Sequence, residues 1–300
     1  MEVIKPDVAP GRLRRIVAHP ASLLALGFVL FSFLYAATMA AVTMLARDRP
    51  VLAPVIALAG AVAGWSVYRM YRLRLEGPPN RELELAGAGR ELSSGLLFGF
   101  LLFSAVTAIV ALLGGFRIEG VRGAGNLLPM IAIAIFSGFY EELIFRGVLM
   151  RQLEALLGTY AALALTSAFF GLVHIVNPDS TVFAALAISV EAGILLGAAY
   201  LLTRRLWLAI GIHAAWNFTQ GWIYSIPISG TGESEGLLVT TRNGPEWLTG
   251  GDFGLEASVV ALIVATAAGL FLLRRAAMKG EIRPWGWRRR MAQSPAGLPA

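Results

Sequence analysis

The sequence predicts an all-α, polytopic membrane helical bundle of about eight transmembrane helices, and three observations predict it. Of the 300 residues, 57% are hydrophobic and 15% charged, and the mean hydropathy is +0.68. A soluble domain carries about 25% charged residues, so this chain has too few to cover a surface facing water. The apolar residues gather in runs of the length a bilayer needs, about 20 per helix. Lys and Arg cluster in short stretches between those runs, which suits membrane topology better than the nucleic acid partner that a net charge of +6 would otherwise suggest. The absence of cysteine removes disulfides, thiolate metal sites and cysteine nucleophiles together.

The spans fall near 21–46, 51–68, 92–115, 127–150, 160–176, 181–203, 206–224 and 255–273. The first is longer than the 7–15 residues of a signal-peptide core and reads as a retained anchor. The second is the shortest on its apolar length, and Pro50 and Pro54 mark its first turn. The sixth and seventh are joined only by Arg204 and Arg205. Cation placement then sets the topology. Lys5, Arg12, Arg14 and Arg15 precede the first span, and Arg69, Arg72, Arg74, Arg81 and Arg90 follow the second. Arg151 follows the fourth, Arg204 and Arg205 the sixth, and seven more lie between Arg274 and Arg290. The opposite side holds Arg47, Arg49, Arg117, Arg122 and Arg242. This excess puts both termini in the cytoplasm of a plasma (inner) membrane protein, and only an even number of spans gives the alternation. The segment 225–254, rich in Gly, Ser and Thr, reads as a mobile outer loop, and 69–91 as an interfacial turn or short helix. The tail Pro284-Trp285-Gly286-Trp287-Arg288-Arg289-Arg290 suits the headgroup region. The chain divides into helices one to three (1–124), a core of helices four to seven (125–224), and an outer loop, last helix and basic tail (225–300).

A charge at the centre of a bilayer is expensive, so ionisable residues inside spans are functional candidates. Span four holds Glu141, Glu142 and Arg146; span five His174; span six Glu191; span seven His213 and Asn217. Glu142 and Arg146 are four apart and pair on one helix face, a structural ion pair. Glu141 is rotated about 100° away and has no partner on its own helix. His213 and Asn217 also share a face. Two histidines and an unpaired carboxylate on three helices can meet in one polar cavity, a usual place for sites in bundles. Depths agree only in part: from the cytoplasmic ends, Glu141 and His213 lie at about 12–14 Å but His174 at about 21–24 Å.

The chemistry of these groups points to a hydrolase. A carboxylate beside an imidazole takes a proton from water and delivers hydroxide to a carbonyl; burial moves a carboxyl toward the useful range for a base. An imidazole and an amide on one face can hydrogen-bond the oxyanion. Glu141, His174 and His213 would equally make a three-ligand zinc site with an open position. There is no H-E-x-x-H, no pair of membrane aspartates and no G-x-S-x-G elbow.

Glu141-Glu142-x-x-x-Arg146, Phe170-x-x-x-His174 and His213-x-x-x-Asn217, in order on successive membrane helices, resemble the CPBP family, that of CAAX prenyl protease type 2 (Rce1 and Abi proteins). The resemblance covers about residues 125–224. It implies an intramembrane endopeptidase, often classed as a metalloendopeptidase, with Glu141 as general base aided by His174. His213 and Asn217 would form the oxyanion site, and Glu142 with Arg146 would brace the helix. A metal-free mechanism explains every motif residue without an added ion, so no cofactor is favoured. The expected partners are the bilayer and a peptide or protein with a membrane-associated segment, with or without an attached lipid; nucleic acid is not one. Glu191 lies outside the motifs. Two rival readings stand beside this one: a non-enzymatic immunity or scaffold protein of the same family, and a proton-coupled transporter relaying through Glu141, His174, Glu191 and His213.

Overall fold

In a bilayer no water satisfies backbone N–H and C=O groups, so long apolar runs fold as helices. The computed structural model describes residues 16–77 and 81–286. Among them, six helices are long and apolar enough to cross a membrane. They are α1 (Pro20–Leu45), α2 (Leu52–Leu75), α3 (Ala88–Leu112), α4 (Leu127–Leu157), α6 (Val182–Thr203) and α8 (Val259–Met278). Two shorter ones complete the predicted set of eight: α5 (Thr159–His174) and α7 (Trp207–Phe218), which continues as a π-helical turn, Thr219–Ile223. At 16 residues, α5 spans only about 24 Å, less than the roughly 30 Å hydrocarbon core. The basic residues Lys5, Arg12, Arg14 and Arg15, and the tail from Trp287 onward, lie outside the described residues.

The two boundaries that differ most from the sequence reading do so for the same reason: apolar content alone locates the bilayer, not the helix end. α2 runs on through Arg69, Arg72 and Arg74 to Leu75, and α4 continues past Met150 to Leu157. The second extension moves the end from which the depth of Glu141 is counted, so counts from predicted span ends do not fix the relative depths of Glu141, His174 and His213.

The ends of α2, α4 and α6 are locked by buried ion pairs. Glu76 takes Arg72 at 2.6 Å, Arg151 through both oxygens and the Gln152 amide at 3.1 Å. Glu154 takes Arg204 at 2.6 Å, and Arg204 also meets Glu281, beyond α8, at 2.9 Å. Burial pushes the Glu76 carboxyl up, but the Arg151 hydrogen bond and charge, with Arg72 behind them, hold it below its ordinary value of 4.5. A carboxylate held low lends stability that is present above that value and lost as the pH falls below it. Acid unfolding of detergent-solubilised protein should thus be less steep below pH 4.5 in Glu76→Gln than in wild type; parallel curves would remove Glu76 from this role.

Helix contacts are made close by small residues, as expected where no hydrophobic drive separates helix from lipid. A Cβ on Gly99 would come within 2.4 Å of the Ile212 carbonyl, and one on Gly95 within 2.4 Å of the Leu208 carbonyl. On the facing helix, a Cβ on Gly211 would meet the Leu92 carbonyl at 2.5 Å. α3 and α7 therefore touch backbone to backbone. Gly99→Leu should force them apart and lower the thermal midpoint by several degrees, since overpacking costs about 1–3 kcal/mol or more; an unchanged midpoint would contradict this contact.

The segment 225–254 is not a mobile loop. Leu238–Arg242 pairs antiparallel with Phe116–Val121 in a two-stranded sheet, and a helical turn follows at Glu246–Thr249. Ile226, Ile228, Leu248 and Phe253 are buried. These apolar residues, spaced among the glycines, give the segment something to pack with, and it folds across the bundle.

Candidate active site

α4 carries the first part of the site and is irregular where it does so. Phe136–Glu141 and Leu143–Met150 are π-helical, a geometry often found at functional sites. Glu142 is fully buried and takes Arg146 Nη1 at 2.8 Å on Oε1. Arg146 Nη2 donates to the Ala192 carbonyl of α6 at 3.2 Å and lies over the Phe170 ring, 5.0 Å from its centre. The expected i,i+4 pair is present, but it has a further partner that one-helix spacing could not reveal. His213 Nδ1 lies 2.8 Å from the same Glu142 oxygen.

That contact sets the histidine. A carboxylate paired with Arg146 only accepts hydrogen bonds, so His213 Nδ1 carries the proton and Nε2 is left with its lone pair. Nε2 faces Glu141, 3.9 Å from Oε2, too far for a direct hydrogen bond but suited to a shared water. His174 is set in a similar way. Its Nδ1 lies 2.6 Å from the Phe170 carbonyl, which can only accept, so Nε2 is again the free nitrogen. Phe170 stands between the imidazoles, with ring centres 4.8 Å from His174 and 5.9 Å from His213.

Glu141, His174, His213 and Asn217 all line one cavity of about 560 Å³, and Glu191 and Glu256 line it too. Its volume is within the usual range for small-molecule sites. Glu142 and Arg146 stand behind its wall. Helices α1 and α4 to α8 contribute to the walls, as do Ile228, Ser229 and Thr231 of the outer segment. The outer segment is held there by Asn177, whose amide donates to the Ser229 carbonyl at 2.6 Å. Sequence reasoning missed Glu256. It sits in a short 3-10 turn, Leu255–Ala257, at the boundary of the predicted last span, where an acidic residue reads as a headgroup-level end. Only the folding of the outer segment brings it inside.

The zinc alternative needs Glu141, His174 and His213 to converge. Both free Nε2 atoms are of the kind a metal takes, yet among the described residues no three His, Asp or Glu side chains are grouped closely enough to hold an ion. The donor types suit a metal, but their spacing among the described residues does not bring three of them together.

Residues 123–219 match the family model described as type II CAAX prenyl endopeptidase Rce1-like. This stretch takes in α4 to α7 and all three motifs, so match and motif resemblance coincide. With the long apolar helices, it supports an integral membrane protein whose central third is similar to that family. No curated protein and no solved structure matches the chain.

Proposed function

We propose that this membrane protein, whose central third matches the Rce1-like family, is an intramembrane endopeptidase that hydrolyses a peptide bond with water activated between Glu141 and His213. The observation that carries the proposal is the 3.9 Å gap between Glu141 Oε2 and His213 Nε2, two proton acceptors facing each other across a cavity. A water held there donates one hydrogen to each. As its oxygen attacks the carbonyl carbon, Glu141 takes the proton. The amide of Asn217, one turn from His213, donates to the oxyanion. When the C–N bond breaks, the proton passes from Glu141 to the leaving nitrogen. Glu142 holds His213 in the required tautomer, and Arg146 keeps Glu142 ionised at a depth where a lone carboxylate is costly.

This reading moves one role relative to the motif resemblance. Resemblance pairs Glu141 with His174; the 3.9 Å contact favours His213 for that task, leaving His174 with its free Nε2 as a further hydrogen-bonding group on the cavity wall. The substrate proposed is a peptide or protein whose scissile bond reaches membrane depth through an apolar or lipidated segment. The test is a comparison of peptide termini in membranes carrying wild type or Glu141→Gln at matched protein levels. New termini present only with wild type are expected; identical sets of termini would reject proteolysis and leave the immunity or scaffold role.

A further inference from the structure

The proposed mechanism leaves two carboxylates of the cavity unused. Glu191 of α6 is 1% exposed and Glu256 3%, and both line the cavity wall. They are close enough to act on each other electrostatically, and Glu256 acts likewise on His174. Glu256 Oε1 accepts from the Ser229 backbone N–H. Glu191 is different: its Oε2 is buried with no hydrogen-bond partner among the described residues.

The charge balance of the cavity is one-sided. Glu142 is matched by Arg146 behind the wall, but Glu141, Glu191 and Glu256 face the interior, and among the described residues no Lys or Arg lines it. The two histidines donate their Nδ1 protons elsewhere. A buried carboxyl without a partner is costly to ionise, and burial favours its protonated form until a cation is at hand. A cation entering the cavity removes that expense and gains charge-assisted hydrogen bonds.

We infer that Glu191 and Glu256 form a cation subsite, next to His174, that takes an ammonium or guanidinium group of the substrate. This rests on the endopeptidase reading, which makes the cavity a peptide site, and adds a specificity to it: a bond is cut when a positive charge lies close to it in the chain. The charge comes from a Lys or Arg side chain or from a free amino terminus. Glu191 is the determinant, since its Oε2 has no competing donor, while Glu256 is anchored to the outer segment and adds the second charge.

The test needs no turnover. Full-length protein in nanodiscs is titrated with p-aminobenzamidine, whose fluorescence rises in apolar surroundings, and with benzylamine; the uncharged isosteres p-aminobenzamide and benzyl alcohol serve as controls. Both cations should bind at least tenfold more tightly than their isosteres. Glu191→Gln and Glu256→Gln should each reduce that ratio severalfold, and Glu141→Gln should retain most of it. Displacement of the probe by N-acetyl-lysine amide, N-acetyl-arginine amide or norleucine amide then tells side-chain ammonium, guanidinium and free amino terminus apart. Equal binding of cations and isosteres by the wild-type protein would overturn the proposal whether or not the variants fold. So would a preference that persists in Glu191→Gln, or one lost only in Glu141→Gln. Because binding is read without hydrolysis, a failure here leaves the comparison of peptide termini untouched, and absent proteolysis leaves this result readable.

Discussion

Glu141→Gln is expected to lower turnover of a cleaved reporter peptide by about 10²- to 10⁴-fold, the usual worth of a positioned general base, while the protein accumulates in the membrane at wild-type level. Gln keeps the size of the side chain and one carbonyl acceptor, so the water can still be held against His213 Nε2. What Gln cannot do is take the proton. Glu141 is also the carboxylate of α4 with the least structural burden: its side chain keeps about a fifth of its exposure, whereas that of Glu142 keeps none. Its replacement therefore removes a charge facing a cavity rather than one holding helices together, and the thermal midpoint should hold or rise. Turnover within tenfold of wild type would remove Glu141 as the base and make it a structural carboxylate. Loss of turnover with a large fall in the thermal midpoint would leave the role unassigned to chemistry, and Glu141→Asp would then separate geometry from charge.

The sequence made much of this architecture legible because a bilayer imposes a simple code, apolar length. All eight predicted spans correspond to helices, and the motif residues on α4, α5 and α7 reach one cavity. The failures are instructive in kind. Ends of helices are decided by ion pairs such as Glu76 with Arg151 and Glu154 with Arg204, formed between residues far apart in the chain. Hydropathy sees those residues only as polar, so α2 and α4 were expected to stop too early. The outer segment misled for the opposite reason: its glycines and threonines suggested freedom, but pairing with Phe116–Val121 is a non-local event with no local signature. Glu256 was overlooked with it. The link between His213 and Glu142 was invisible because helical spacing compares residues on one helix, and this bond joins two.

That link makes Arg146 the position with the largest expected effect on stability. Arg146→Ala leaves Glu142 fully buried with its positive partner gone, a change that costs about 3–5 kcal/mol in comparable sites, and it also removes the bond to the Ala192 carbonyl that ties α4 to α6. The thermal midpoint in detergent should fall by about ten degrees or more. Two double variants separate the bracing of helices from the setting of His213. Glu142→Leu with Arg146→Met removes both charges and should recover most of the stability, because replacing a buried ion pair by apolar residues of similar volume is often neutral. It removes the acceptor for His213 Nδ1 as well, so the imidazole can turn or change tautomer. Turnover should then stay about 10- to 100-fold down, the scale seen when a partner orienting a histidine is lost. Glu142→Gln with Arg146→Met keeps a carbonyl oxygen where Oε1 stands and should regain part of that activity at similar stability. If both double variants recover stability and show equal turnover, the 2.8 Å contact between Glu142 and His213 has no positioning role, and the pair acts only as a brace between α4, α6 and α7.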